Sequence, residues 1–356
     1  MDDRPDRTVL VTGASGFIGG ALVRRLLRAG YNVRAGGRSP HAPQHLLDAA
    51  QACGGRLTWY GGDLVRPHGL ATAFEGVDLV VHAAANVDSA APTAAIEQAN
   101  VVATRNVCEL ALAAGVKRLV YVGTSDVFGL PRPGEVITTE TPYRLWGEAY
   151  PDTKIAASNI VRQFRERGLA STIVHPGWAY GPGDRAFFPK LLEQVQSGLM
   201  PDWSPKCGRI SLIYIEDLVD GLCLAIESPQ TGEFLILDDD SGVSLSDICR
   251  YIAARAGRRF KVLRTNYALI HGFARVSQLA VNAGIIRAPL LTTTDAKSFG
   301  HDFRFCVERS RQALGWTQAT PVQTGLSRAL DDLLHGVETK DRTEPLPHMR
   351  VAAQRG

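Results

Sequence analysis

Tyr150-Pro-Asp-Thr-Lys154 sets a phenol and an ammonium four residues apart. On a helix that spacing puts both on one face, about a turn apart. A free phenol, with a pKa of about 10, exchanges protons poorly at neutral pH. A neighbouring ammonium favours the phenolate and is expected to lower that value, which would make Tyr150 a proton donor and acceptor with Lys154 as its activator. A third group stands 26 residues earlier, where the apolar run Leu119-Val-Tyr-Val122 ends in Gly-Thr124-Ser125. Either hydroxyl could hold a substrate oxygen while charge develops on it.

A second constellation opens the chain. Thr12-Gly-Ala-Ser-Gly-Phe-Ile-Gly19 follows the strand-like run Thr8–Thr12 and precedes a helical apolar pattern at Phe17, Ile18, Leu22 and Leu26. Gly13 suits a tight turn, Gly16 lets backbone approach a pyrophosphate, and Gly19 lets the helix pack close to the strand. The helix N-terminus then offers N–H groups and partial positive charge to phosphates. This is a dinucleotide site, with Ser15, Phe17 and Ile18 between the glycines also facing the cofactor. The next strand ends Arg34-Ala-Gly-Gly-Arg-Ser39, with Gly37 where an NAD enzyme usually keeps a carboxylate for the ribose 2′-hydroxyl. Arg38 could pair with a 2′-phosphate instead. NADP is favoured, with NAD as the alternative.

The elements that must position these groups alternate regularly. Strand signals at Thr8–Thr12, Tyr31–Ala35, Leu57–Tyr60, Val77–His82, Arg118–Val122 and Ala170–His175 are separated by helical stretches, one of them Tyr150–Arg167. This predicts an α/β, Rossmann-type doubly wound parallel sheet whose ligand lies at the strands' carboxyl ends. Beyond Pro176 the pattern loosens. Ile210–Ile215 reads as a strand, Leu218–Ile226 as a helix, Phe234–Leu237 as a short strand, and Ser244 as the N-cap of a helix running to Ala256. Residues 1–180 are expected to form the dinucleotide-binding domain, with 209–226 returning to it. Residues 181–335 should be mainly a substrate-binding cap, and 336–356 a mobile tail.

Composition narrows the class. The 356 residues are 45% hydrophobic and 21% charged, with a net charge of +3 and no long run of like charge, which argues against nucleic-acid binding. Six cysteines (Cys53, Cys108, Cys207, Cys223, Cys249, Cys306) lack metal-type spacing, so no metal is expected. No window is apolar enough to span a bilayer, and no signal-peptide anatomy is seen; cytoplasmic residence is the expectation.

The G-x-x-G-x-x-G loop, the Tyr150/Lys154 pair and Val122-Gly-Thr-Ser-Asp-Val-Phe-Gly129 together resemble the extended short-chain dehydrogenases/reductases of the NAD-dependent epimerase/dehydratase superfamily, over about residues 7–335. The tone is that of 3β-hydroxysteroid dehydrogenase-like and dihydroflavonol reductase-like members. The resemblance implies that Thr124, five residues before Gly129, is the catalytic hydroxyl, with Ser125 in reserve, and that Asn100 organises the site. It places Asp63 of Gly62-Asp-Leu64 at the adenine, Ala83, Ala84 and Ala85 beneath the cofactor, and Pro176 and Gly177 near the nicotinamide. Lys154 would also bond the nicotinamide ribose. His175 stands where the family usually has arginine. Homodimers through helix faces are common in such proteins.

Nucleotide-sugar epimerases and dehydratases share these motifs, but add an arginine-bearing diphosphate clamp before the aromatic-Val-x-Asp segment. Here that stretch is Ile210-Ser-Leu-Ile213, with Arg209 out of register, and Ser125-Asp126 keeps only one carboxylate of the dehydratase pair. The apolar segment Tyr267–Leu291 reads as a wall of an apolar substrate pocket or as a core helix. A peripheral membrane contact ranks third. The expected activity is NADP(H)-dependent interconversion of a secondary alcohol and a ketone on an apolar small molecule. The alternative is epimerisation or dehydration with bound NAD(P) and no net turnover.

Overall fold

The computed structural model describes residues 7–335 apart from 89–90, 197, 203–207, 240, 260, 265–266 and 287–291. The expected tail at 336–356, Cys207 and Arg287 therefore lie outside the described residues. The first half alternates as its apolar pattern requires: β1 (Thr8–Thr12), α1 (Phe17–Arg28), β2 (Asn32–Gly37), α2 (Gln44–Ala52), β3 (Leu57–Gly61), α3 (Ala71–Phe74), β4 (Leu79–His82), α4 (Thr93–Glu97), α5 (Ala103–Ala113) and β5 (Arg118–Val122). Between α4 and α5 the helix widens into a π segment, Gln98–Val102. Then come α6 (Ala149–Glu166), β6 (Ser171–Pro176), β7 (Trp178–Tyr180), α7 (Phe187–Gln196), β8 (Leu199–Asp202), β9 (Leu212–Tyr214), α8 (Ile215–Glu227) and β10 (Gly232–Ile236). The chain ends in α9 (Leu245–Arg255), β11 (Lys261–Arg264), α10 (Tyr267–Asn282), α11 (Thr293–Phe299), α12 (Glu308–Leu314) and α13 (Val322–His335).

Seven strands form one parallel sheet in the order β10-β6-β5-β4-β1-β2-β3. The chain winds outward from β1 through β2 to β3, then returns to lay β4 on the other side of β1. The crevice at that reversal is where a doubly wound sheet holds its ligand. Alternation within strands builds a core on each face. Val9 and Val11 of β1 enter one cluster with α1 and α8, while Leu10 enters the other with Tyr121, Ile160 and Phe164. All six residues of β6 are buried, as both faces of a parallel sheet require. α1 buries Leu22, Val23, Leu26 and Leu27, each contributing about 1.5–3 kcal/mol against exposure.

The second half is divided between sheet and cap. α8 packs on α1, β5 and β6, and β10 is the sheet's edge strand, so the stretch expected mainly as a cap also completes the sheet. The predicted strand at Ile210–Ile215 is shorter, β9, and pairs with β7 in a separate two-stranded sheet. Ser244 caps α9 in a capping box with Asp247, as its sequence signals. No helix among the described residues is long and apolar enough to cross a membrane.

Candidate active site

The candidate catalytic and cofactor-binding residues lie at the carboxyl ends of the parallel strands or on helices that open there. The β1–α1 turn carries Gly13, Ser15, Gly16, Phe17, Ile18 and Gly19. Gly13 has φ +69°, and a Cβ there would come within 2.6 Å of the Ala84 backbone nitrogen. A Cβ on Gly19 would meet the Gly13 carbonyl oxygen at 2.3 Å, so α1 can begin this close to β1 only with glycine. α1 has Gly16 as its N-cap, with no side-chain cap and no acid in its first turn. Its leading N–H groups are thus left for an anion, and the cradle fits a dinucleotide pyrophosphate. Across the crevice run Ala83, Ala84 and Ala85, the strip after β4.

The end of β2 has a physical reason to lack a carboxylate. A Cβ on Gly37 would sit 2.7 Å from the Trp59 indole, whose Nε1 donates to the Ser39 carbonyl at 3.0 Å. Arg38 is exposed and makes no ion pair among the described residues. Asp63 is exposed after β3 and accepts from the Val65 N–H at 3.0 Å; the Leu64 carbonyl accepts from Asn106 at 2.7 Å. Trp59 was missed in the sequence, because only the fold stacks it against Gly37.

Beneath this loop the last residues of β1 and β4 are tied by a buried chain. Thr104 Oγ1 donates to the Asn100 carbonyl at 2.6 Å, so it accepts from His82 Nε2 at 3.0 Å. His82 Nδ1 is then the acceptor for Thr12 Oγ1 at 2.7 Å. Burial, with the Lys154 charge adding, pushes the imidazole down to about 3, so it stays neutral as this tautomer requires.

Asn100 is buried within the π segment. Its Oδ1 accepts from the Asn86 N–H at 2.7 Å, and its Nδ2 donates to the Asn86 carbonyl at 3.1 Å and to Thr153 Oγ1 at 3.0 Å. Thr153 in turn donates to the Tyr150 carbonyl at 2.8 Å. One amide therefore ties the loop after β4 to the helix carrying Tyr150 and Lys154. The local widening of the helix is of a kind frequent at functional sites.

Tyr150 is the second residue of α6 and Lys154 lies one turn on. Pro151 is tolerated because first-turn N–H groups have no helical partner. The Tyr150 phenol lies beside the Thr124 side chain and the Asp126 carboxyl, close enough for both to act on its ionisation. Thr124 Oγ1 accepts from the Asp126 N–H at 3.2 Å. Burial pushes Asp126 up to about 6, against hydrogen bonds from Thr124 and the Trp178 side chain. Ser125, also buried, lines a small cleft with Asp126, Trp178, Ile210, Ser211, Ser298 and Phe303. Of the two hydroxyls, Thr124 is the one that acts on the ionisation of Tyr150.

The expected activation by Lys154 needs correction. Its Nζ does not bond the phenol; it donates to the Val122 carbonyl at 2.7 Å and lies 4.3 Å above the Tyr121 ring. Burial brings Lys154 down to about 7. The Tyr150 phenol is raised, not lowered, first by burial and then by Asp126; Thr124 alone opposes them. Desolvation outweighs the one-turn spacing.

His175 gains a role that the sequence left open. Nδ1 lies 3.1 Å from the Thr124 carbonyl and Nε2 lies 3.0 Å from Glu233 Oε2, so the ring bridges the turn after β5 to the edge strand. Glu233 also accepts from the Tyr143 hydroxyl at 2.7 Å and from Arg162 Nε at 2.6 Å. Burial would raise the Glu233 carboxyl, but these bonds win and hold it well below the usual range. Pro176 and Gly177 follow at the end of β6, where a Cβ on Gly177 would meet Ser211 Oγ at 2.6 Å.

In the cap, Arg209 is held by Asp302, with Nε 3.2 Å from its carboxylate, and so is already engaged. Ser298 and Phe303 line the cleft beside Ser125. α11 is pinned to the start of α6 at Glu148, which accepts from Thr293 at 3.0 Å and Thr294 at 3.1 Å and pairs with Lys297 at 2.7 Å.

Comparison with known proteins agrees with this geometry. Residues 9–236 match the NAD dependent epimerase/dehydratase family. A 3-beta-hydroxysteroid dehydrogenase of Mycolicibacterium neoaurum is 27% identical over 341 residues, covering 90% of each chain. A 4-hydroxy-2-methyl-3-oxo-4-farnesyl-3,4-dihydroquinoline-1-oxide ketoreductase of Stigmatella aurantiaca is 28% identical over 319 residues, covering 89% of this chain and 93% of its own. Among solved structures, MoeE5 in complex with UDP-glucuronic acid and NAD superposes with a TM-score of 0.72 at 23% identity, over 93% of this chain and 100% of that one, a likeness of fold. The chain is an enzyme of the NAD-dependent epimerase/dehydratase family.

Proposed function

We propose that this enzyme is an NADP(H)-dependent oxidoreductase that interconverts a ketone and a secondary alcohol on an apolar small molecule. The placement of the Tyr150 phenol beside the Thr124 side chain at the sheet's carboxyl end, with Lys154 one turn on, carries the reading. When bound, the nicotinamide supplies or accepts the hydride at the carbonyl carbon. Thr124 holds the substrate oxygen. Tyr150, kept as a neutral phenol by burial, donates the proton to that oxygen in the reducing direction and takes it back in the other. Lys154, fixed by the Val122 carbonyl, keeps N–H groups that would bond the nicotinamide ribose. Arg38 would pair with the 2′-phosphate beside Gly37, which has no room for the competing carboxylate.

The apolar substrate class is supported by Ile210, Trp178 and Phe303 in the cleft and by the engagement of Arg209 with Asp302. Relatives named for a steroid and for a farnesylated quinoline oxide point the same way.

The test mixes the purified chain with NADPH and a panel of apolar ketones and follows nucleotide absorbance. Stoichiometric loss of NADPH is expected. Tyr150→Phe should lower kcat at least about 100-fold while leaving the NADPH dissociation constant unchanged. Conversion of a UDP-hexose with no net change in nucleotide would establish the epimerase reading instead, and full turnover by the variant would remove Tyr150 from its role.

A further inference from the structure

The cap's α10 carries its apolar residues on two faces. Ile270, Ala274 and Ser277 are buried. Leu269, Phe273, Val276 and Leu279 are 50–70% exposed, and Ile285 just past the helix is 75% exposed. Spacings of three and four residues place the helical four on one stripe, along a helix about 24 Å long. These are five of the ten large hydrophobic residues exposed anywhere among the described residues, so the patch is concentrated and not scattered.

Charge says what such a stripe would meet. Residues 248–294 contain eight Lys and Arg and no Asp or Glu, in a chain whose net charge is only +3. Arg250 and Arg255 are neutralised by Asp247 and Asp331. Arg258, Arg259 and Arg275 are exposed and make no ion pair among the described residues. Glu148, the acid whose charge reaches Tyr267 at the start of α10, is already paired with Lys297. A second copy of this chain would bring cations against cations. An anionic bilayer would accept both features, the apolar stripe in its acyl boundary and the arginines at its headgroups.

We propose that the exposed face of α10, with the arginines before it, docks this enzyme on an anionic lipid surface without spanning it. The docking is independent of the reaction assigned above.

Flotation of the full chain with vesicles tests it. Vesicles of phosphatidylcholine with phosphatidylglycerol should bind at least about tenfold more tightly than phosphatidylcholine alone, and salt should weaken the binding. Phe273→Ser with Val276→Ser and Leu279→Ser should abolish binding while the melting midpoint and NADPH affinity stay unchanged. Should that variant not fold, Arg258→Glu with Arg259→Glu must remove the preference for anionic vesicles. Absence of flotation with either vesicle, or undiminished binding by the folded triple variant, overturns the proposal. So does a lipid-free dimer that the triple variant abolishes, since a second copy would then cover the face.

Discussion

Glu233 on the edge strand is the sharpest place to perturb the site from outside it. Its carboxylate gathers His175 at 3.0 Å, Tyr143 at 2.7 Å and Arg162 at 2.6 Å, from β6, the loop before α6, and α6. Glu233→Gln keeps the volume but turns an acceptor oxygen into an NH2 that faces donors. Breaking a fully buried pair costs about 3–5 kcal/mol. Arg162 is 40% exposed and is partly compensated by water, which lowers the expectation to about 2–4 kcal/mol. For a chain of 356 residues that is a fall in melting midpoint of about 3–5 °C. The fully buried His175 would also lose the partner that orients it toward the Thr124 carbonyl, so kcat should fall about tenfold or more with little change in KM. The pH dependence has a definite sign. A carboxylate held below its unfolded pKa contributes stability above the ordinary glutamate range and loses it as pH falls through and below that range. The gap between wild type and Glu233→Gln, measured by calorimetry, should therefore be full at neutral pH and close in acid. Equal midpoints at neutral pH, or a gap that widens on acidification, would refute the reasoning.

Arg38→Ala should raise the KM for NADPH about tenfold or more and leave that for NADH unchanged, in steady-state assays with each nucleotide. Asn100→Ala removes all three side-chain bonds that join the Asn86 loop to α6. A loss of about 2–4 kcal/mol in thermal unfolding is expected, together with weaker NADPH binding by calorimetric titration. An unchanged nucleotide affinity would separate Asn100 from the site.

Much of this was legible in the chain because it depends on local chemistry. The Thr8–Thr12 strand, the glycine loop and the Phe17 helix follow from neighbours within a few residues, and so does the capping box at Ser244. The parallel order of strands follows from repeated βαβ spacing, since the crossover is right-handed and short. That order alone sends Gly13, Thr124 and Tyr150 to one edge.

Contacts between distant residues could not be read this way. Trp59 closes the space beside Gly37 from the neighbouring strand; His175 meets Glu233 across 58 residues of sequence; Glu148 meets Lys297 across 149. No periodicity encodes such pairs. The Tyr150–Lys154 spacing shows the same limit from the other side. Helical geometry fixed which face the two side chains share, and burial, which belongs to the assembled fold, decided that the phenol's pKa rises and that the ammonium turns to the Val122 carbonyl. Sequence determined which groups could react and where the sheet would bring them. Packing determined their partners and protonation, because desolvation and hydrogen-bond geometry exist only once remote segments have met.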